Sequence, residues 1–521
     1  MDLNDMPYAS ARYSQEKGCL AGTRECFLSE ICGVLNNLSE DAPRVCLLTG
    51  VAGSGKSAVA HSIARLYDGQ KRLGSSYCFA SSDVASRTPK NLFSTIARDL
   101  ADHDPQYKSA LWGVVKDSRA LRMSTSPSEQ LERFIIEPSG HLHTIGPTVI
   151  VIDAVDESGD EASRHQLLQA ISDHIADNTF PTNLRFLITA RPESDILAAL
   201  LGPQIILKQM SDIPDDVIDR DIHKFIHHSL HQYTKLESSW PNQEWCRLLV
   251  RHSQHLFQWA STACGFIKGL GARGLDPCKR LTILLQTDNS DRVRPLDYLY
   301  QTVLQQLFTL KSAQEEFRGV MAVVLALKEP LPLPSLCTLF EGDLKIRDII
   351  SVLASLLDGV LDERKPIRPL HISFRDFLLD EARSSTFHID TLPQDSLSLG
   401  RALLSCMRSM LRFNICDLQD SRKHSVKIPD LQSRVIKAIP TYLSYSCQYW
   451  MEHLQHAECS PALLDEVTVF FKKFFPYWLE AISLLSLSSP VSPILSALET
   501  CTILTRWAKV CMMDNMIYGL C

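Results

Sequence analysis

The stretch Gly50-Val51-Ala52-Gly53-Ser54-Gly55-Lys56-Ser57 decides the fold, because it joins an apolar run, RVCLLT (44–49), to an amphipathic run, SAVAHSIARLY (57–67). It fits the pattern G-x-x-x-x-G-K-[ST] in full and in the order strand, loop, helix. Its glycines let backbone N–H groups face phosphate oxygens, and the helix N-terminus adds positive charge. The pattern therefore predicts a nucleotide-binding loop, with Lys56 on the β- and γ-phosphates and the Ser57 hydroxyl on Mg²⁺.

A second motif, TVIVIDAVDE (148–157), places three acidic residues at the end of an apolar run. Ligands bind at the carboxyl ends of strands in open α/β sheets, so Asp153 is predicted to hold Mg²⁺, through a water molecule. Asp156 or Glu157 is predicted to orient and activate the attacking water. The alternative is an acidic loop solvated at a strand end, which the loop at 50–57 makes the weaker interpretation.

The next apolar run, LRFLITA (184–190), leads directly to Arg191 and Pro192. An arginine at this position would sense the γ-phosphate or stabilise charge during phosphoryl transfer. A surface ion pair is the alternative for the same residue. With Asp156 and Glu157, Arg191 completes the predicted catalytic group.

Short apolar runs alternate with longer amphipathic segments over the first 200 residues. The runs that we predict as strands are 44–50, 75–81, 148–153 and 184–190. Alternation of this kind predicts an α/β P-loop NTPase domain with a parallel sheet, and nearly continuous apolar strands predict helices on both faces. Further on, helical segments dominate, apart from a strand-turn pattern at 359–373 that indicates a winged-helix domain.

These patterns divide the chain into five parts. They are a flexible lead (1–18), a P-loop nucleotide-binding domain (19–203), a helical domain (204–294), a winged-helix domain (295–390) and an all-α C-terminal region (391–521). No repeat with a period of 20 to 50 residues is found, so truncation before a repeat sensor domain is an open expectation.

The composition excludes several classes of protein. The net charge of -7 argues against a general binder of nucleic acid, which needs a basic face. No uninterrupted apolar run of about 20 residues predicts a membrane span. The 16 cysteines include no CxxC pair, and the N-terminus has no signal-peptide pattern, so we expect a reduced, cytoplasmic protein.

The motifs together resemble the NACHT class of signal-transduction (STAND) NTPases, especially the fungal branch whose N-terminal part is similar to nephrocystin-3. The resemblance rests on CLAGTRECFLSEI (19–31), GVAGSGKS (50–57), VIVIDAVDE (149–157), FLITARPE (186–193), HLFQWASTACGFI (255–267) and PLHISFRDFLLDE (369–381). Beyond them, MRSMLRFNIC and YSCQYWMEHL look like the helical segment that precedes WD40 repeats in such fungal proteins.

The resemblance implies roles for three further residues. It places Thr23 and Arg24 beside the adenine, and it places His371 on the β-phosphate of ADP in the resting form. From the residues alone, His371 reads equally well as a core histidine with a satisfied partner. Leu256 and Phe257 stand where many relatives carry a proline that packs on adenine, which puts base contacts there in doubt.

The function implied is an ATP/ADP-binding switch with Mg²⁺, slow ATP hydrolysis and self-oligomerisation in the ATP state. Its setting would be fungal self/non-self or innate-immunity-like signalling through an unknown protein partner. The alternatives are a nucleotide-binding scaffold without significant hydrolysis and a P-loop metabolic NTPase or kinase. A GTPase would need a guanine-reading motif, for which TKLE (234–237) is the nearest candidate, with Glu237 where aspartate is required.

Overall fold

The computed structural model describes most of the chain. The residues described are 3–10, 12–39, 41–79, 88–143, 146–177, 179–200, 202, 204–231, 240–270, 276–285, 294–340, 345–390, 393–418, 430–454 and 461–485. They form two compact units. The first unit comprises the described residues of 3–270, 276–303 and 371–374, and the second comprises those of 304–370 and 375–485.

The first unit is built on a five-stranded sheet in which every pair of neighbouring strands is parallel. The strands are β1 Val45–Thr49, β2 Leu73–Cys78, β3 Thr148–Asp153, β4 Leu184–Ala190 and β5 Ile205–Gln209. Their order is β2-β3-β4-β1-β5, so β4 lies between the strand before the glycine-rich loop and the strand that ends in Asp153.

Helices make up most of the remaining regular structure. In chain order they are α1 Glu25–Leu35, α2 Lys56–Gly69, α3 Pro89–His103, α4 Pro105–Val115, α5 Arg119–Arg122, α6 Pro127–Gln130, α7 Glu161–Ala176, α8 Ser194–Ala199, α9 Asp215–His231, α10 Gln243–Ser253, α11 Phe257–Lys268, α12 Pro277–Leu285, α13 Pro295–Leu307, α14 Lys311–Ala326, α15 Leu333–Leu339, α16 Ile346–Ser351, α17 Ile372–Leu379, α18 Glu381–Ser384, α19 Pro393–Met410, α20 Leu431–Ala438, α21 Thr441–Leu454, α22 Pro461–Lys473 and α23 Phe475–Leu484. A π-helical turn spans Leu131–Ile136, and 3₁₀ turns lie at Gln15–Lys17, Glu137–His141, Val155–Glu157, Met210–Asp212 and Ser385–Phe387.

Both faces of the sheet are covered, as the apolar strands predict. Ile150 and Ile152 pack in one apolar cluster with residues of α3, α4 and α7. Val149 and Val151 are buried outside that cluster, and α2 contacts β3. Because successive side chains of a strand point to opposite faces, helices cover both sides. The prediction of a parallel sheet with helices on both faces is therefore confirmed.

The structure corrects two details at the edges of this unit. The sheet extends past the predicted boundary at 203, because β5 pairs with β1 along Ile205–Gln209. The five residues of β5 are only partly buried and end in Lys208 and Gln209, so β5 lacks the full burial of β1, β3 and β4. Strand β2 runs over 73–78 instead of 75–81, and residues 80–87 lie outside the described part of the chain.

The N-terminal segment is packed, although the sequence predicts a flexible lead at 1–18. Leu3, Met6 and Ala9 are buried in the same apolar cluster as α3 and α4. The backbone N–H of Tyr13 donates to Ser76 Oγ at 2.9 Å, which fixes the segment to β2. Its buried apolar residues are three apart and lie among polar ones, so the sequence pattern does not predict that they are buried.

The second unit contains helices and a short antiparallel hairpin. Its strands are β6 Leu357–Asp358 and β7 Arg368–Pro369, with Leu357 opposite Pro369. The second strand lies within the strand-turn pattern predicted at 359–373, whereas the first strand ends at Asp358, just before that pattern. Helices continue to Leu484, and residues 486–521 and the TKLE segment lie outside the described residues. In the described part of the chain, no helix combines the length and the apolar character that crossing a membrane requires.

Candidate functional site

The order of the strands gathers the predicted site residues at one edge of the sheet. The glycine-rich loop follows β1, Asp153 ends β3, and Arg191 follows β4, which lies between the other two strands. Parallel strands end at the same edge, where open α/β sheets bind their ligands. The residues predicted from three separate motifs thus meet in one place.

The loop at 50–57 curls through two glycines in the left-handed region. Gly53 has φ +81° and Gly55 has φ +102°, and Gly55 caps the start of α2. Gly50 is needed for space, because a Cβ there would lie 2.8 Å from the Met210 side chain. The backbone N–H of Gln258, in the first turn of α11, donates to the carbonyl of Gly53 at 3.2 Å. The loop is therefore shaped by its own glycines and braced by α11.

Lys56 lies over the loop instead of extending into solvent. Its Nζ donates to the carbonyl oxygens of Gly50 at 2.7 Å and Val51 at 3.1 Å. Burial lowers the pKa of Lys56, while the negative charge of Asp156 opposes that shift and the positive charge of Arg191 adds to it. Lys56, Asp156 and Arg191 therefore share one electrostatic neighbourhood, as their predicted roles require.

Asp153 is buried, and both of its carboxylate oxygens accept a hydrogen bond. The Thr189 hydroxyl of β4 donates to Oδ1 at 2.5 Å, and the Cys78 thiol of β2 donates to Oδ2 at 3.3 Å. The Ala154 N–H donates to Thr189 Oγ1 at 2.9 Å. Ser57, the other predicted Mg²⁺ ligand, is exposed in the first turn of α2. A hydroxyl and a carboxylate are the oxygen donors that Mg²⁺ prefers, so this pair fits the ion.

A second group of possible metal ligands lies behind the first. Ligand atoms of His61, Cys78 and Asp153 all lie within 4.8 Å of one another. However, the Ser14 N–H donates to His61 Nδ1 at 3.2 Å, so Nδ1 carries a lone pair and the neutral ring has its proton on Nε2. Metal-bound imidazoles have the reverse arrangement, with the second nitrogen as a donor. The three residues therefore fit a metal centre poorly, and Cys78 instead supports Asp153 through its hydrogen bond to Oδ2.

The two acids after Asp153 have different surroundings. Asp156 accepts the backbone N–H of Arg191 on Oδ1 at 3.0 Å and its Nε–H on Oδ2 at 3.1 Å, and only 5% of the Asp156 side chain is exposed. Glu157 is partly exposed on the 3₁₀ turn. Arg191 does form an ion pair, but with a residue of the site rather than of the outer surface. Of the two acids, Asp156 is the one whose carboxylate is shown to be held by Arg191.

Arg24 reaches the loop, whereas the Thr23 hydroxyl does not. Arg24 Nη2 donates to the Ser54 carbonyl at 3.4 Å, and its guanidinium lies 4.9 Å from the centroid of the Phe257 ring. The Arg24 N–H donates to Asp221 of α9 at 2.9 Å. The Thr23 hydroxyl donates to the carbonyl of Leu20. The Phe257 ring therefore packs on the arginine.

His371 belongs to the first unit and lies within the electrostatic reach of Lys56 and Arg191. Burial lowers its pKa to about 4, and the positive charges of Lys56 and Arg191 add to that effect. Its Nδ1 accepts the Ser373 N–H at 3.1 Å, so the proton of the neutral ring is on Nε2. The Ser373 hydroxyl lies 2.8 Å from the Tyr300 hydroxyl. The ring is therefore a neutral imidazole whose donor nitrogen is Nε2.

Sequence reasoning missed several residues that build this site. They are Thr189, Cys78, His61, Asp221 and Arg164, the last of which donates to the Asp156 carbonyl at 3.2 Å. Thr189 had a usable signal, since it is a polar residue in an apolar run, two positions before Arg191. The others come from distant segments, and no spacing along the chain indicates that they meet.

Comparison with solved structures finds distant similarities. A STAND protein with a tetratricopeptide repeat sensor from Pyrococcus horikoshii is 13% identical, with a TM-score of 0.42 over 96% of this chain and 65% of its own. The Walker-type ATPase of Pyrococcus abyssi is 12% identical, with a TM-score of 0.34 over 66% of this chain and 91% of its own. C. elegans PCH-2 is 15% identical, with a TM-score of 0.24 over 58% and 70%.

No curated protein matches the chain. A comparison with protein families finds one region of similarity, which covers the glycine-rich loop, Asp153 and its neighbouring acids, and Arg191. Residues 22–191 match the family described as "Nephrocystin 3, N-terminal".

Proposed function

We propose that this chain is an ATP/ADP-binding switch of the NACHT type that hydrolyses ATP slowly. The observation that carries the proposal is the convergence of the glycine-rich loop, Asp153 and the Asp156–Arg191 ion pair at one edge of the parallel sheet. Two cations, Lys56 and Arg191, beside the N-terminus of a helix are suited to an anion with several phosphate groups. The similarity over residues 22–191 agrees with this proposal.

Each residue has a distinct role in the proposed site. The amides of 50–57 hold the phosphates, Lys56 leaves the carbonyls of Gly50 and Val51 to reach the β- and γ-phosphates, and Ser57 and Asp153 hold Mg²⁺. Bound Mg²⁺ would neutralise charge on the phosphate oxygens. Glu157 orients and deprotonates the attacking water, and Arg191 stabilises charge on the γ-phosphate.

The segment at residues 22–24 recognises the adenine base in this proposal. Thr23 is buried and fixes its own turn through Leu20, while Arg24 extends to the loop at Ser54. Phe257 supplies an aromatic surface beside Arg24. In this proposal the adenine lies against the 22–24 segment, and Leu256 and Phe257 stand where the resemblance leads us to expect a proline.

His371 makes the contact that distinguishes the ADP-bound state from the ATP-bound state in this proposal. A donor on Nε2 that bonds the β-phosphate of ADP would tie residues 371–374 to the nucleotide in the closed state. A contact present in one state biases the equilibrium by its own free energy, which a contact present in both states cannot do. Exchange of ADP for ATP would release this contact and allow self-oligomerisation.

The remaining parts of the proposal follow the resemblance. The helices and hairpin of 295–390 would be a winged-helix domain, and 204–294 a helical domain that begins after β5. The C-terminal helices would precede a WD40-type sensor. The protein would act in the cytoplasm, through an unknown protein partner, in fungal self/non-self or innate-immunity-like signalling.

The test is the nucleotide content and the turnover of the purified protein. Denaturation and chromatography should release close to one ADP per chain, and added ATP should be hydrolysed slowly. Retained nucleotide without turnover would favour a scaffold, for which the enclosure of Asp156 by Arg191 is the supporting observation. An acceptor-dependent loss of the γ-phosphate would favour a metabolic kinase instead. A chain that binds no nucleotide at all would contradict the proposal.

A further inference from the structure

Arg164 joins the loop after β3 to the loop after β4. This arginine of α7 donates through Nη1 to the Asp156 carbonyl at 3.2 Å, and through Nε to Asp195 at 2.8 Å. Its Nη2 lies 3.2 Å from a carboxylate oxygen of Glu193, and 14% of the Arg164 side chain is exposed. One planar guanidinium therefore holds the backbone at Asp156 against both acids that begin α8.

Within this frame, Asp156 holds Arg191 at two points. One carboxylate oxygen accepts the backbone N–H of Arg191, and the other accepts its Nε–H. The first bond fixes the main chain after β4, and the second fixes the plane of the guanidinium. Both oxygens are already bonded and the side chain is buried, so a water molecule has poor access to Asp156.

We propose that Asp156 and Arg164 are positioning residues that fix the guanidinium of Arg191. This inference rests on the proposed nucleotide-binding function. Arg191 in its fixed orientation distinguishes a nucleoside triphosphate from a diphosphate, since only the triphosphate presents a γ-phosphate to it. Arg164 acts one step further away, because it fixes the turn from which Asp156 projects. Lysine cannot replace Arg164, since an ammonium lacks the planar fork that makes all three contacts.

The distinguishing measurement is the ratio of affinities for Mg·ATPγS and Mg·ADP, obtained by titration calorimetry on the full chain. Arg191→Met and Asp156→Asn should each reduce the preference for ATPγS about tenfold to a hundredfold, the usual range for losing one hydrogen bond to a charged group. Arg164→Met and Arg164→Lys should reduce it by a smaller factor. Glu157→Gln should leave the ratio unchanged while ATP turnover falls about a hundredfold.

A double-mutant cycle then separates positioning from catalysis. If Asp156 acts only through Arg191, the Asp156→Asn and Arg191→Met double variant should show the same ratio as Arg191→Met alone. Arg133→Met is the matched control, because it removes an exposed helical ion pair with Glu137 and should leave both ratio and turnover unchanged. Circular dichroism of each variant without nucleotide confirms that the fold is retained, and Arg164→Lys provides a milder change should Arg164→Met fail to fold.

Additive losses in the double variant would overturn the proposal, as would an Asp156→Asn protein that keeps the wild-type ratio and loses turnover like Glu157→Gln. In either case Asp156 would act as a base or in binding by itself. Loss of all nucleotide binding in the wild-type protein is a different outcome, because it would refute the proposed function and this inference together.

Discussion

Lys56 and Gly50 are joined by a hydrogen bond of 2.7 Å from the lysine Nζ to the glycine carbonyl oxygen. The cation that the loop motif directs at phosphates is thus bound to the loop's own backbone. Its burial lowers the pKa of Lys56, which means that its charge is incompletely compensated in this state. A phosphate at the loop would compensate it better than a neutral carbonyl. The arrangement is therefore one that an anionic ligand should displace.

Thr189→Val tests the support of Asp153. Valine keeps the shape of threonine but leaves Asp153 Oδ1 and the Ala154 N–H without their hydroxyl partner. An unsatisfied buried group costs about 1–3 kcal/mol, so the melting temperature without ligand should fall, and Mg²⁺-dependent nucleotide affinity should fall with it. Thr338→Val, at an exposed position on α15, is the control. Unchanged stability and affinity in Thr189→Val would show that the hydroxyl is dispensable.

His371→Leu tests the switch contact. Leucine keeps the bulk of the ring and removes the Nε2 donor. Because a hydrogen bond to a charged group is worth about 1.5–3 kcal/mol, ADP release should accelerate about tenfold to a hundredfold, measured by stopped-flow displacement of a fluorescent ADP. Size exclusion with ATP should then show larger species. A less stable protein with an unchanged ADP release rate would instead identify His371 as a core residue.

His453 in the second unit predicts a pH dependence of stability. Burial lowers its pKa to about 4, and the Lys328 charge adds to the effect, while its Nε2 is 2.8 Å from the Tyr445 hydroxyl. Unfolding restores an ordinary pKa near 6.5, so the unfolded chain binds a proton on His453 at a higher pH than the folded chain does. The free energy of unfolding is therefore unaffected by protonation of His453 above pH 6.5 and decreases as the pH falls from 6.5 to 4, by about 2 kcal/mol at pH 5.

Thermal melting without nucleotide at pH 7 and pH 5 measures this effect. His453→Gln should lower the melting temperature at pH 7 and should reduce the further decrease on going to pH 5. The pKa of His371 is lowered in the same direction, so His371 adds its own decrease in stability at low pH. His371 is present in both the wild-type protein and the His453→Gln variant, so the difference between the two proteins reports on His453 alone. An identical decrease in both proteins would mean that His453 keeps an ordinary pKa in the folded state.

Local patterns predicted the centre of the fold and failed at its edges. Strands β3 and β4 could be predicted to the residue, because each is a mostly apolar run in which every residue is buried. Strand β5 could not, since it is half-buried and its last two residues are polar. The N-terminal segment is fixed by contacts such as Tyr13 with Ser76, and no local pattern records a partner 63 residues away.

The site residues also fall into those that local sequence patterns predict and those that they do not. A motif with fixed spacing, such as Gly50–Ser57, carries its own geometry, and Arg191 could be placed because it follows a clear strand. The roles of Asp156 and Glu157 could not be separated from sequence, because both follow Asp153 on the same turn. The separation arises from Arg191 and Arg164, which approach Asp156 from other segments.

The most direct test of the account is the melting temperature of wild-type and Lys56→Ala proteins with and without Mg·ADP. No other side chain of the loop supplies the charge of Lys56, so the variant should lose tight binding. A ligand that binds only the folded state stabilises it by about 2.7 kcal/mol at a hundredfold excess over its dissociation constant. Lys116→Ala, an exposed lysine beyond α4, is the control. We expect wild type and control to melt higher with Mg·ADP and Lys56→Ala to stay unchanged; an equal increase in all three, or none in wild type, would contradict the nucleotide site.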